Sequence, residues 1–102
     1  MTLFPQPIIN FVAKSGAYTA NPGDYVLGTA AAAWVLTLPP VAGGGVVSVR
    51  KVDAAAFAIT IKTADGSTID GVAGTTGIAT ATSQHSGFTV ASDGSNWWVV
   101  GT

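Results

Sequence analysis

The sequence predicts an all-β protein: one small, single-domain antiparallel sandwich or barrel of about eight short strands behind an extended N-terminal arm, with a β-helical or β-prism trimer as the alternative. Three observations carry this expectation. Apolar and polar residues alternate in short runs from Tyr25 to the C-terminus, the spacing that places successive side chains on opposite faces of a sheet. Gly, Pro, Asn and Asp interrupt those runs at close intervals, as turns require. No stretch keeps apolar residues at the three-four spacing of an amphipathic helix.

Residues 1–17 form the predicted arm and residues 18–102 the β-rich module. The arm combines Phe4, Ile8, Ile9, Phe11 and Val12 with Pro5 and Pro7, and carries no charge before Lys14. Such a segment is extended and needs cover, either as an edge strand on its own domain or docked into a neighbour, and docking is the favoured expectation. It lacks the basic n-region of a secretory signal. Strands follow near Asp24–Leu27, Trp34–Leu38, Val46–Val52, Ala58–Thr63, Ser67–Ile69, Ile78–Thr82, Gly87–Ala91 and Trp97–Val100.

Between them, Asn21-Pro22-Gly23-Asp24 suits a type II turn, with Pro fixing φ at the second position and Gly accepting positive φ at the third. Asp65-Gly66 and Asp93-Gly94 look like hairpin turns, and Asp70-Gly71 marks a further bend. Ala30–Ala33 and Ala54–Ala56 are too short to hold helices and are expected as loops. Gly43–Gly45 precedes a strand rather than a helix N-terminus, so it is expected as a flexible connection and not a phosphate cradle.

Composition narrows the function classes. Charged residues make up 9% of the 102 residues and hydrophobic ones 48%, against about a quarter charged in an ordinary soluble domain. A weakly charged surface does little to repel copies of itself, which favours close packing against other subunits. The formal net charge is -1, with Lys14, Arg50, Lys51 and Lys62 the only basic residues, so no cationic field is available for nucleic acid. Without Cys there is neither a disulfide framework nor a thiolate metal site. Tyr25–Val49 is uncharged and long enough to cross a bilayer, but Pro39-Pro40 and Gly43-Gly44-Gly45 break any helix there, and membrane insertion is not expected.

Catalysis has little to work with: five Asp, no Glu, no Cys and the single His85. His85 lies in the polar stretch Ser83-Gln84-His85-Ser86, with no nucleophile turn of the G-x-S-x-G kind, and is expected to be a surface residue. Asp65, Asp70 and Asp93 lack calcium-loop spacing and are each followed by Gly, as turns favour. No enzyme, metal or cofactor is predicted. The aromatic residues are more informative, since adjacent Trp97 and Trp98 in one strand must face opposite sides of the sheet. The plainer expectation is that one fills the core while the other is covered by another strand or subunit, and the alternative is a platform on which a sugar ring stacks.

Taken in order, Trp34-Val35-Leu36-Thr37-Leu38-Pro39, Val46-Val47-Ser48-Val49-Arg50-Lys51, Ile59-Thr60-Ile61, Thr68-Ile69-Asp70-Gly71 and Ser92-Asp93-Gly94-Ser95-Asn96-Trp97 resemble a module of tailed-bacteriophage virions. That module is found in head fibres, capsid decoration proteins and tail-fibre segments, and the resemblance spans residues 18–101. It implies a β-rich, often trimeric virion component without identifying which one; the expected location is the outer capsid surface, after synthesis in the host cytoplasm. The chain carries the module almost alone, which favours a decoration protein that stabilises the shell over a fibre adhesin binding host-surface carbohydrate. On this view the partners are two further copies of the chain and the major capsid protein. Phe4, Ile8, Ile9 and Phe11 are the candidate capsid contacts, and Trp97, Trp98 and Trp34 the candidate subunit-interface residues.

Overall fold

Alternation of inward and outward side chains builds two sheets that share one core. The computed structural model describes residues 10–43 and 45–102, so Phe4, Ile8 and Ile9 lie outside the described residues. Eleven strands occur among them: β1 (Asn10–Lys14), β2 (Tyr18–Thr19), β3 (Asp24–Gly28), β4 (Trp34–Thr37), β5 (Val46–Lys51), β6 (Ile59–Lys62), β7 (Thr68–Ile69), β8 (Val72–Ala73), β9 (Ile78–Ala79), β10 (Gly87–Ser92) and β11 (Trp97–Gly101). All eight expected strands are present. The three additions are β2 and β8, of two residues each, and β1, which takes residues 10–14 of the segment read as an arm into the sheet edge.

The chain is wound rather than folded back. Its first six strands alternate between a seven-stranded sheet, ordered β1-β3-β5-β10-β11-β7-β8, and a four-stranded sheet, ordered β2-β4-β6-β9. Strands β1, β3 and β5 pair in parallel, as do β2, β4 and β6. Each coil thus contributes one strand to each sheet, and the strand in the opposite sheet supplies the crossover that parallel pairing requires. The antiparallel ladders expected throughout are confined to the second half, where β10 joins β5 and β11, β9 joins β6, and β8 joins β7. The all-β sandwich is therefore a short two-sheet winding closed by antiparallel hairpins.

Turn chemistry explains the path. Gly23 has φ +88°, and Asp24 N–H donates to Asn21 O at 3.1 Å, closing the predicted turn into β3. Asp70 and Gly71 both have positive φ, 51° and 80°, the requirement of a two-residue type I′ hairpin, here between β7 and β8. Asp65-Gly66 does not make the expected hairpin, because β6 and β7 lie in different sheets. The Asp65 carboxylate instead accepts from Ser67 N–H, Ser67 O–H and Val41 N–H, an Asx-type turn that passes the chain from one layer to the other. Asp93-Gly94 does connect a hairpin, β10 to β11, with Asp93 Oδ1 accepting from Ser95 and Asn96 N–H at 2.8 Å.

Between the sheets lie Val26, Val47, Val49, Ile69, Val90 and Trp97 from one layer and Trp34, Leu36, Ile59 and Ile61 from the other, all buried. Gly28 sets their separation locally, since a Cβ there would stand 2.4 Å from Ile59 Cδ1 and 3.0 Å from Trp34 Cζ2. Two buried polar groups tie the coils together. The Asp24 carboxylate, on the inward face of β3, accepts from Asn10 Nδ2 at 2.8 Å, Tyr18 O–H at 2.6 Å and Asn21 N–H at 2.9 Å. Burial pushes its pKa up, but the hydrogen bonds from Tyr18, Asn21 and Asn10 together with nearby Lys14 outweigh that and hold it below the ordinary carboxylate value. Its charge in turn raises the Tyr18 phenol, chiefly through their hydrogen bond.

The second group is Lys51, fully buried on the inward face of β5, whose Nζ donates to Asp53 Oδ1 at 2.7 Å and Asp53 O at 2.9 Å. Asp53 Oδ2 accepts from Ala30 N–H at 2.9 Å, so the pair pins the β3–β4 connection to the end of β5. A buried ammonium is tolerated only when paired and hydrogen-bonded in this way.

Two outcomes test this packing. Gly28→Ala forces the sheets apart and is expected to cost about 1–3 kcal/mol, which calorimetry reads as a Tm lower by roughly 4–8 °C for each kcal/mol in a domain of this size. An unchanged Tm would mean the layers do not meet there. For Asp24, the folded pKa lies below the unfolded value of about 3.9, so its contribution is complete above that pH and is lost as pH falls through the folded pKa. Asp24→Asn should therefore lower Tm at neutral pH and flatten the acid limb of the Tm-versus-pH curve; an acid limb identical to that of the parent protein would remove Asp24 from this role.

Candidate functional site

Strand parity leaves one large face without a covering layer. On the outward side of the seven-stranded sheet the registers align three rows of side chains: Phe11, Tyr25, Ser48 and Thr89; Ala13, Leu27, Arg50 and Gly87; and Val46, Ala91 and Trp98. Among the described residues the large hydrophobics most exposed are Val100 at 63%, Phe11 at 61%, Val46 and Phe57 at 47%, Trp98 at 46% and Val72 at 37%, and Phe11, Val46 and Trp98 stand on this face. Phe11 and Tyr25 pack with ring centroids 5.3 Å apart, extending the apolar surface to the β1 edge.

The polar side chains of the face are already engaged within the monomer. Ser48 Oγ and Thr89 Oγ1 share a hydrogen bond of 2.8 Å. Arg50 Nε donates to Tyr25 Oη at 3.0 Å and Arg50 Nη1 to His85 O at 2.6 Å. Trp98 Nε1 donates to Asp93 Oδ2 at 2.9 Å, and the Asp93 pKa is held below the ordinary value by hydrogen bonds from Asn96 N–H first and the Trp98 indole next. Arg50 is the one ionised side chain in the three rows.

No family model, curated protein or solved structure matches this chain.

The expected site residues distribute as follows. Of the three tryptophans, Trp97 is fully buried and Trp34, at 8% exposure, donates its indole N–H to Thr29 O at 2.8 Å, so both belong to the monomer core and Trp98 alone offers its ring to a neighbour. Phe11 lies at the edge of the outward face, on the same surface as Trp98 rather than on a separate arm. Parity predicted that Trp97 and Trp98 would part, but Val99 and Val100 continue both faces with apolar residues and do not say which points inward. His85 is exposed in a left-handed conformation, φ 68°, with its backbone joined to Lys51 and Arg50.

Elsewhere, two shallow clefts are lined by Thr19, Thr37, Leu38, Pro40, Ala64 and Asp65, and by Ala13, Lys14, Ser15, Leu27, Thr29 and Val52. Each contains a single ionisable group, and Asp65 is committed to its turn. Among the described residues no three His, Cys, Asp or Glu side chains gather as metal ligands, and no helix is long and apolar enough to cross a membrane. The outward face combines exposed apolar side chains with polar groups that hydrogen-bond within the monomer.

The two adjacent tryptophans should separate in mutagenesis. Trp97→Ala empties a fully buried site and is expected to cost about 3–5 kcal/mol, whereas Trp98→Ala should cost about 1 kcal/mol or less in a dissociated monomer. Urea unfolding at high dilution measures both, and equal costs would contradict the inward assignment of Trp97.

Proposed function

We propose that this protein is a structural, non-catalytic component of a tailed-bacteriophage virion, a homotrimer that decorates the outer capsid surface and stabilises the shell. The observation that carries the proposal is the outward face of the seven-stranded sheet, which exposes Phe11, Val46 and Trp98 and carries Arg50 as the one ionised side chain of its three rows. Exposed apolar side chains gathered on one sheet face support an interaction role, and the ordered run of motifs resembling virion modules supports placing that role in a virion. The major capsid protein is the proposed partner beyond the trimer, with Phe4, Ile8, Ile9 and Phe11 as its candidate contacts.

Stabilisation would follow from mass action. A ligand that binds the assembled, expanded lattice and not its dissociated subunits adds about 2.7 kcal/mol per site at a free concentration one hundred times its Kd. Purified protein titrated onto expanded capsids should therefore bind in many copies per particle, counted by quantitative gel densitometry, and should raise the temperature at which the shells open. A few copies confined to the tail, together with binding on a glycan array, would replace decoration with the adhesin reading; turnover abolished by His85→Ala would overturn both.

A further inference from the structure

We infer that Asp70-Gly71, the turn between β7 and β8, is a self-modification site at which the chain converts Asp70 to isoaspartate, and that this conversion releases the hairpin from β11. The chemistry needs an aspartyl carboxyl followed by an accessible main-chain nitrogen, and glycine leaves that nitrogen unhindered. The Gly71 nitrogen bonds to Asp70 Cγ, and the carboxyl hydroxyl leaves with the nitrogen's proton as water, giving a five-membered succinimide. Water then adds at the Asp70 main-chain carbonyl carbon, whose bond to the Gly71 nitrogen breaks. The main chain now runs through Cβ and Cγ of residue 70. One water is lost and one is gained, and nothing is oxidised or reduced.

The sequence holds three such pairs, Asp65-Gly66, Asp70-Gly71 and Asp93-Gly94, and the fold separates them. The Asp65 carboxylate accepts from Val41 N–H, Ser67 N–H and Ser67 O–H. That of Asp93 accepts from Ser95 N–H, Asn96 N–H and the Trp98 indole, and the Gly94 nitrogen that would attack it already donates to Ser92 Oγ at 3.0 Å. Among the described residues the Asp70 carboxylate accepts from Val99 N–H alone, at 2.8 Å, and Gly71 N–H donates no hydrogen bond. Hydrogen bonds to a carboxylate favour its charged form, whereas the neutral acid is the species attacked. Asp65 is held below the ordinary carboxylate range in this way, chiefly by Ser67 O–H, and Asp93 chiefly by Asn96 N–H. Each charge-assisted hydrogen bond that must be given up costs roughly tenfold in rate or more. Asp70 and Gly71 are both exposed, and a Cβ built on Gly71 would meet nothing within 4 Å, so water reaches the succinimide.

The same turn fastens the hairpin to β11. Asp70 N–H donates to Trp97 O at 3.0 Å while the carboxylate receives Val99 N–H, and strand pairing adds the register Trp97 with Ile69. An isoaspartyl link lengthens the main chain by a methylene. A two-residue turn with φ of 51° and 80° does not absorb that insertion, and the carboxylate moves away from Val99.

Peptide mapping by electron-transfer mass spectrometry, which tells isoaspartate from aspartate, tests this on the full chain aged at neutral pH and at a temperature well below Tm. Isoaspartate should accumulate at position 70 at least about tenfold faster than at 65 or 93. In urea, where the hydrogen bonds are gone, the three sites should age at similar rates. Amide exchange followed by NMR should show Val99 losing protection in the converted fraction. Asp70→Asn and Asp93→Asn react through the amide and so remove any difference in ionisation, and Asp70→Asn should release ammonia the faster. Position 70 unchanged in the folded protein while the unfolded chain ages, equal rates at the three sites in the folded state, or an inverted order in the two Asn variants overturns the site. A preference for position 70 that persists in urea assigns it to the flanking sequence and overturns the structural argument. A converted protein with unchanged Val99 exchange overturns the release of the hairpin.

Discussion

The register of the parallel ladder β1–β3–β5 is the constraint on which the rest of the molecule depends. Because side chains alternate with period two, a slip of one residue in any of these strands would exchange its two faces. In β3 it would bring Tyr25 and Leu27 inward and put Val26 in water; in β5 it would turn out Val47, Val49 and the paired Lys51. Two buried polar groups help fix that register. Asp24 holds the first coil to the second through Asn10 and Tyr18, and Lys51 with Asp53 holds the second to the third through Ala30. Both act between coils.

With the register fixed, the composition of the outward face follows from the same strands that build the core. A chain of this size has enough residues for two layers around one core, and the second layer is spent on the inward side. The outward face nevertheless carries Phe11, Leu27, Val46 and Trp98 where a solvated sheet face would carry charges. Its polar residues hydrogen-bond within the monomer, Ser48 with Thr89 and Arg50 with Tyr25 and the His85 carbonyl. The seven-stranded sheet is thus packed on one side and carries exposed apolar side chains on the other.

Much of this was legible in the sequence. Period-two alternation and turn residues located eight strands within a residue or two at most ends, and the parity of Trp97 and Trp98 announced that one of them leaves the core. The parallel winding was harder to see, because its coils are unequal: Asn10 pairs with Asp24, fourteen residues on, while Tyr25 pairs with Ser48, twenty-three residues on. Unequal connections erase the fixed period by which repeated architectures are recognised in sequence. Strands β2 and β8 have two residues each and no pattern to detect. Lys51 was read only as a basic residue, although it shares parity with Val47 and Val49, and Asp53 stands close enough to pair with it. The outward face was invisible for a different reason: it combines residues from five strands whose order follows from pairing and not from chain position.

The low charge of the chain then acquires a structural explanation. Of its nine ionised side chains, Asp24, Lys51 and Asp53 are used to join coils, Asp65, Asp70 and Asp93 to shape turns or receive backbone N–H groups, and Arg50 to brace Tyr25 and the His85 loop. Lys14 stands 4.4 Å over the Tyr18 ring, beside the Asp24 carboxylate. Lys62 is the remaining one. Solvation alone would scatter charges of both signs over the surface; here nearly every charge has an internal task, and little is left to keep copies apart. A protein whose charges are used for its own architecture is suited to contacts made by shape and apolar area, which is the demand that a symmetric assembly places on its subunits.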